Sequence, residues 1–554
     1  MFPFTGIPEG GIGSDEEDIN DDDLLDPSGI PDEIAAEVDT MIPVEDDEEL
    51  EDMEDTDRRN KPRWMKKHIE RKELESESGK EREFASKKLS QNFPAVSSSN
   101  EWEIFIKVFE DLIELLVYET NRYAKNEKNC QSFEVTLEEM MNFIGLLFLS
   151  GYNIRSCERD YWSKAQDLEC PIFAATMSRN RFQEIKKFLH CADNANLGNE
   201  KMAKVKPLYE LLNENIRQFG ILHEILSIDE SMTPYYGRHS CKQFIRQKPI
   251  RFGFKSWIMA SSTGMPYYVK IYEGKSENQS SNEPLGTRVI RECISACNEP
   301  TKHRFYFDNF FTSYDIVLDL KKKEINATGT IRSNRTKHCP LPTAKDMKKR
   351  PRGFSDYRSE GNVEIVTWND NAVVTLCSNC EGLNPIGVAK RWKKGEGKVD
   401  VEQPFIVKAY NKGMGGVDLF DRSLSDFRPA IRGKKWYFPL IIAALNTGMV
   451  FCWRLFEISS GTTIPNKEYR RSIVQILVKR AKPERICTKA LRSGPKGCKA
   501  LPPKEIRTDN ANHRTRSLVT SRRCVVCKKN GKIECTKCNV TLHLKSCWQM
   551  FHEK

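Results

Sequence analysis

Seven cysteines and histidines recur at short intervals late in this chain, as Cys524-x2-Cys527-x7-Cys535-x2-Cys538-x4-His543-x3-Cys547-x4-His552. Two CxxC knuckles followed by alternating His and Cys supply the tetrahedral nitrogen and sulfur ligand sets that Zn2+ takes. So short a segment holds little apolar core, so metal binding has to provide its folding free energy. Residues 521–554 are therefore expected to be a cysteine-rich zinc domain. Seven ligands do not complete two four-ligand sites. Either a site is closed by water, by Glu534 or by Glu553, or a single zinc is held, and the spacing leaves the pairing open. Cys377 and Cys380 also form a CxxC, but with no second knuckle or nearby His they read as part of a strand. The other cysteines are scattered, the pattern of a reducing compartment rather than a disulfide scaffold.

Charge is segregated along the chain. Residues 1–57 contain 23 Asp and Glu and no Lys or Arg, so the remainder carries 87 Lys and Arg against 56 acids, a net +31. A body so basic calls for a polyanion partner, and double-stranded DNA is the expected one. Residues 1–95 have few aromatics and run into Ser97, Ser98 and Ser99. They cannot bury enough apolar surface to offset the entropy of ordering, and are expected to be disordered. Within them Arg58, Arg59, Lys61, Arg63, Lys66 and Lys67 form a basic run that fits a nuclear localisation signal, a DNA clamp or a solvated linker. The opening residues lack the basic and apolar regions of a signal peptide. Tyr437–Trp453 is apolar but short for a bilayer, contains Pro439, Asn446 and Gly448, and follows Lys434 and Lys435. It is expected to be a buried helix, with no membrane partner.

At 554 residues the chain exceeds one ordinary domain. Phe105, Phe109, Leu112, Leu115 and Leu116 recur at helical spacing, as do apolar positions in Thr136–Gly151 and Arg181–His190, which makes residues 96–222 all-α. Short β-branched and aromatic runs follow at Ile225–Tyr236, Gly253–Ser261, Tyr267–Tyr272, His303–Phe307 and Asn326–Ile331. Helical stretches at Leu285–Ala296 and Ser313–Lys323 lie between them. Three early strands, then helix, strand, helix and strand, give an α/β fold with a mixed sheet over 223–335. Residues 336–404 are polar, with many Lys and Pro, and read as an irregular insertion. Helices return to about Lys482, and 483–520 form a basic linker.

Hard divalent cations such as Mg2+ take oxygen ligands, and two-ion phosphoryl transfer places carboxylates around the scissile phosphate. Asp229 sits in or at the end of the first strand, in Leu226-Ser-Ile-Asp-Glu-Ser231. Asp308 follows the apolar run Phe305-Tyr-Phe307, where a carboxylate is costly unless paired or coordinating. Asp418 and Asp421 form an i, i+3 pair on one helical face. Lys248, Arg251 and Lys255 crowd the strand after Asp229, Arg332 and Arg335 follow the last core strand, and Lys434, Lys435 and Trp436 open the last helical region. Basic residues beside carboxylates suit phosphate binding. Trp436 fits either a base-stacking contact or a core anchor.

The blocks that hold these residues carry a resemblance. Asp160-Tyr-Trp162, Met177–Phe182, Lys204–Pro207, Ser227–Glu230, Gln247–Lys255, Asp308–Ser313, Gly329–Arg335, Tyr410–Asp421 and Lys434–Trp436 resemble, in order, the piggyBac transposase family and its transposable element-derived members. Lys206 is a small departure, standing where Arg is commoner. The resemblance implies an RNase H-like core in two parts, 223–335 and 405–425, with residues 336–404 inserted. It implies helical dimerisation and DNA-binding parts at 96–222 and 426–482, and a cross-braced zinc domain that binds transposon ends. Asp229, Asp308 and Asp418 match the family's DDD triad, with Asp421 a supporting acid, and Mg2+ or Mn2+ as the cofactor. The implied activity is cleavage at transposon terminal repeats and strand transfer into TTAA target DNA, by a homodimer in the nucleus. A derived DNA-binding protein that no longer cuts is the alternative. A RING-type ubiquitin ligase, raised by the zinc cluster alone, leaves the triad without a purpose.

Overall fold

The computed structural model describes residues 62–69, 81–246, 248–274, 283–479, 502–509 and 512–553. The acidic arm 1–57 and linker residues 483–500 lie outside them. The chain divides into two compact units. The first comprises Met1–Val108, Tyr209–Arg428 and Arg432–Arg470, and the second Phe109–Leu208, Pro429–Ile431 and Arg471–Lys554.

The first unit is built on a nine-stranded mixed sheet. Its strands are β1 (Ile225–Pro234), β2 (Lys242–Phe244), β3 (Phe252–Ser261), β4 (Pro266–Ile271), β5 (Arg304–Phe307), β6 (Asn326–Thr330), β7 (Ser355–Glu360), β8 (Val363–Asn369) and β9 (Val373–Ser378). They lie in the order β2-β3-β1-β5-β6-β9-β8-β7, with β4 also on β3. β1 is antiparallel to β3 and parallel to β5, and β5 is parallel to β6. The crossover from β5 to β6 runs through the helix Tyr314–Lys322, as parallel neighbours require. All four residues of β5 are buried, as expected of a strand covered on both faces.

Two consecutive helices, Phe405–Gly413 and Gly416–Ser425, return the chain to this sheet. Gly416 is the close-approach point. A Cβ there would lie 2.1 Å from the Ser261 carbonyl oxygen and 2.6 Å from Ser227 Oγ, so the helix docks on β1 and β3 only because the side chain is absent. The apolar stretch near 440 forms the helix Phe438–Ser460, and most of it is buried within the protein, with Leu440, Ile441, Met449 and Val450 fully covered.

Two expectations are corrected here. Residues 336–404 are not irregular: β7, β8 and β9 extend the main sheet through β6, and β10 (Gly387–Lys393) and β11 (Gly397–Gln403) form a separate antiparallel hairpin. The polar composition concealed β8, which is buried throughout although it contains Glu364. That carboxylate accepts hydrogen bonds from the backbone N–H groups of Ile69 and Leu383, at 3.0 and 2.7 Å. Nor is order absent up to residue 95. Residues 62–69 lie along β7, bridging Met65 to Ser359, and Glu81–Asn92 is a helix whose Ala85 and Leu89 are fully buried.

The second unit contains the helix Leu137–Ser150, started by a Thr136/Glu139 capping box, and the helix Arg179–Phe188, capped by Ser178. Phe143 packs on Phe182, and Phe133 on Phe188. The same unit holds a small antiparallel sheet of β12 (Thr515–Arg523), β13 (Asn530–Cys535) and β14 (Val540–Thr541), with the helix Ser546–His552.

Replacing Gly416 by Ala is expected to cost about 1–3 kcal/mol by forcing the helix Gly416–Ser425 off the sheet. Gly415→Ala, where an added Cβ meets nothing within 4 Å, should melt like the unsubstituted protein. Thermal unfolding of the two variants checks the contrast.

Candidate functional site

Parallel pairing sets Ile228 of β1 beside Phe307 of β5, so Asp229, still within β1 and opposite Ile258 of β3, and Asp308, just past the end of β5, sit at neighbouring positions where the pairing of β1 with β5 stops. Both are half-buried. Asp229 Oδ1 accepts from the Glu230 N–H at 2.8 Å, and Asp308 Oδ1 from the Phe310 N–H at 2.9 Å. Asp418, which is exposed, and Asp421 are on the helix held to β1 by Gly416. Ser231 Oγ, two residues after Asp229, donates to Asp421 Oδ1.

Electrostatics shows the four acids sharing one region. Burial pushes Asp229 up to about 7, and the charge of Asp308 adds to the effect while Lys248 opposes it. Burial also raises Asp308 and pushes Asp421 up to about 6, with Asp418 adding to it. Against its own burial, Lys248 is kept protonated by Asp229, Glu230, Asp418 and Asp421. The Tyr410 phenol is raised by burial and then by Asp308, Asp229 and Asp418 together. The carboxylates are close enough to act on common neighbours but do not form a set lying wholly within 4.8 Å. Among the described residues the groups that tight are Cys/His sets.

The basic residues divide by role. Lys255 is buried, reaches Glu230 at 3.0 Å and lies over the rings of Trp257 and Phe310. Lys248 faces the same Glu230 at 3.6 Å. Arg335 NH1 donates to the carbonyls of Asn309 and Phe310 at 3.0 and 2.7 Å, and Arg332 Nε to Asn309 Oδ1 at 3.3 Å, so both brace the turn that follows Asp308. Arg251 and Lys434 are exposed, and Lys435 is buried over the Tyr437 ring. Trp436 is buried against His239, Phe254 and Tyr437, the position of a core anchor with little face left for a base. Glu230 and Tyr410 join the site without having been singled out from sequence. The acid beside Asp229 was the available signal for Glu230.

The Cys/His segment forms two four-ligand sets, Cys524, Cys527, His543 and Cys547, and His513, Cys535, Cys538 and His552, each with ligand atoms within 4.8 Å of one another. They interleave along the chain, so the arrangement is cross-braced. The eighth member of these sets is His513, which stands before the expected boundary at 521. Glu534, considered as a closing ligand, is instead paired with Arg516 and Arg522 at 2.6 and 3.0 Å. Each histidine has an outer partner that fixes its ring. His513 Nε2 meets Asp509 Oδ1 at 3.0 Å, His543 Nε2 meets the Asn530 carbonyl at 3.1 Å, and His552 Nδ1 meets the Arg507 carbonyl at 2.8 Å. His552 Nε2 is buried and has no hydrogen-bond partner.

The sequence profile of the family described as Transposase IS4 matches residues 101–453. PiggyBac transposable element-derived protein 3 of Homo sapiens is 36% identical over 450 residues, spanning 80% of this chain and 74% of that protein. PiggyBac transposable element-derived protein 2 of Homo sapiens is 34% identical over 356 residues, spanning 63% of this chain and 60% of that protein. The chain belongs to the piggyBac-type transposase family. Its fold is similar to that in a cryo-EM structure of the piggyBac transposase synaptic complex with hairpin DNA, with a TM-score of 0.58 and 21% identity, covering 81% of this chain and 97% of that one.

The raised carboxyls set a pH dependence. Between the ordinary carboxylate range and about 7 the unfolded chain releases the Asp229 proton before the folded one does, so stability falls as pH rises through that window. In metal-free buffer, Asp229→Asn is expected to flatten this decline and to melt above the unsubstituted protein at pH 7.5. Melting temperatures from pH 5 to 8 provide the check.

Proposed function

We propose that this chain is a DDD transposase that cleaves DNA at transposon ends and joins them to TTAA target sites, acting as a homodimer in the nucleus. The observation that carries the reading is the juxtaposition of Asp229 and Asp308 at adjacent positions of the neighbouring parallel strands β1 and β5, with Asp418 on the helix docked against β1. The order β4-β3-β1-β5-β6, antiparallel and then parallel, supports an RNase H-like core.

The donors fit hard divalent cations. The carboxylates of Asp229, Asp308 and Asp418 are oxygen ligands, and Asp229 and its neighbour Asp421 carry charge that burial leaves poorly compensated. Mg2+ or Mn2+ held there supplies charge neutralisation at the scissile phosphate and activates the attacking oxygen. The chain's own groups do the positioning. Arg332 and Arg335 hold the turn after Asp308, Ser231 orients Asp421, and Lys248 and Lys255 present positive charge beside the acids for a phosphate. Water attacks at the element's 3′ end. The freed 3′ hydroxyl then attacks the opposite strand, closing a hairpin and releasing the flanking DNA. A second water opens the hairpin and restores the 3′ hydroxyl, which attacks a target phosphodiester and displaces the target's own 3′ oxygen.

The Cys/His sets fit Zn2+, and the unpartnered Nε2 of His552 marks where one ligand points. We assign this module to recognition of transposon ends, while the basic body supplies salt-sensitive affinity without sequence preference. The purified full-length chain is expected to hold one zinc per donor set, two in all. His513→Ala should halve that content by elemental analysis, and an unchanged content would remove His513 from the ligands.

A second reading, a derived protein that binds DNA without cutting, is favoured by the names of the curated relatives. DNA carrying the gene's own flanking repeats separates the two. The transposase reading expects Mg2+-dependent nicks followed by hairpins, reduced by Asp308→Asn by more than about a hundredfold, beyond the loss of a merely supporting residue. Binding of the ends with no cleavage would replace it with the second reading.

A further inference from the structure

The β10–β11 hairpin presents an aromatic ring to water without an evident use. Trp392 is 72% exposed, the most exposed aromatic among the described residues, and leaving an indole in solvent forgoes a large burial gain. The hairpin itself is firmly seated. Val401 joins a buried cluster with Val366, Trp368 and Leu376, and Trp368 Nε1 donates to the Glu402 carbonyl at 2.9 Å. One face is thus anchored, and the alternation of the strand sends Lys390 and Trp392 to the other.

Register sets the charge on that outer face. Trp392 pairs with Lys398, and Lys390 with Asp400, so acid lies toward the base and the tip is basic. The turn adds Lys394, followed by Gly395 at φ +88°, a conformation glycine adopts without strain. Glu396 is occupied by Lys393 at 2.6 Å. A second basic strand of chain is tied alongside: Asp370 binds both Arg352 and Arg391, and Arg352 also donates to the Trp392 carbonyl at 3.4 Å. That clamp brings the segment containing Lys349 and Arg350, both exposed, next to the hairpin.

A solvent-facing indole within a field of lysines matches the chemistry of nucleic-acid strands, in which phosphates take the ammonium groups and a base face takes the ring. We propose that the hairpin tip is a DNA-contacting surface outside the triad, where Trp392 stacks on an unpaired base at an opened DNA end and Lys390, Lys394 and Lys398 hold the adjoining phosphates. This rests on the reading of the chain as a protein that acts on DNA.

The test uses the full chain in an Asp308→Asn background, which keeps probes uncut, with a blunt duplex and the same duplex bearing a short single-stranded tail. Fluorescence anisotropy is measured at two salt concentrations. Trp392→Ala is expected to weaken tailed-duplex binding about tenfold, the scale of one stacked base, with less than a twofold change on the blunt probe. Trp392→Phe should restore most of the loss. Lys390, Lys394 and Lys398 changed together to Ala should weaken both probes and lower the salt slope by about 2–3. The substituted side chains are exposed, so melting temperatures should not move. If the parent chain binds both probes and the variants match it, the hairpin assignment falls while the transposase reading stands. Equal loss on both probes for Trp392→Ala overturns the stacking role. A parent chain that binds neither probe at low salt overturns the proposal together with the reading beneath it.

Discussion

Parallel pairing of β1 with β5 withdraws two carboxylates from water at adjacent positions, and the first unit is arranged around that cost. Two like charges at adjacent positions of neighbouring strands repel each other and lose solvation. The sheet cannot relieve this by moving either residue, because each follows a run of buried side chains locked in register. Relief comes from outside the two strands. Lys248 faces the acids, Lys255 neutralises Glu230 beneath a pair of aromatic rings, and the turn after Asp308 is pinned by Arg332 and Arg335. Burial still holds Asp229 and Asp421 above the ordinary carboxylate range.

The same constraint explains the glycine at the start of the triad helix. A helix bringing further acids to this place must approach the sheet at backbone distance, or Asp418 and Asp421 would stand away from the strand ends. Position 416 provides that approach, and Ser231 ties the incoming helix to the strand that carries Asp229. Orientation and charge compensation are therefore hard to separate among these residues, since the groups that orient the carboxylates also make their charge tolerable.

Much of this was legible in the chain. The strands around Asp229 and Asp308 announce themselves by β-branched and aromatic runs, and their bounds fall within two residues of expectation at most ends. What escaped depended on distant partners. β8 looked unlike a strand because of Glu364, whose carboxylate is satisfied by the backbone of Ile69, far away in sequence. Ala85 and Leu89 form too small a stripe to predict a helix without the surface that covers them. His513 lacks the CxxC spacing that marks its fellow ligands, so a boundary drawn by spacing excluded it. Trp436 shows the converse: the sequence fits a base-stacking ring and a core anchor equally, and burial against Phe254 and His239 is a tertiary fact with no local signature.

The interleaved order of the eight Cys and His ligands has a kinetic side. His513 and His552 belong to one set and enclose the whole of the other, so gathering the inner set draws the chain into a shorter loop before the outer pair must meet. Closing the remaining gap then costs less entropy than closing it from an open chain. In chain topology the two sets therefore make one knot rather than two beads.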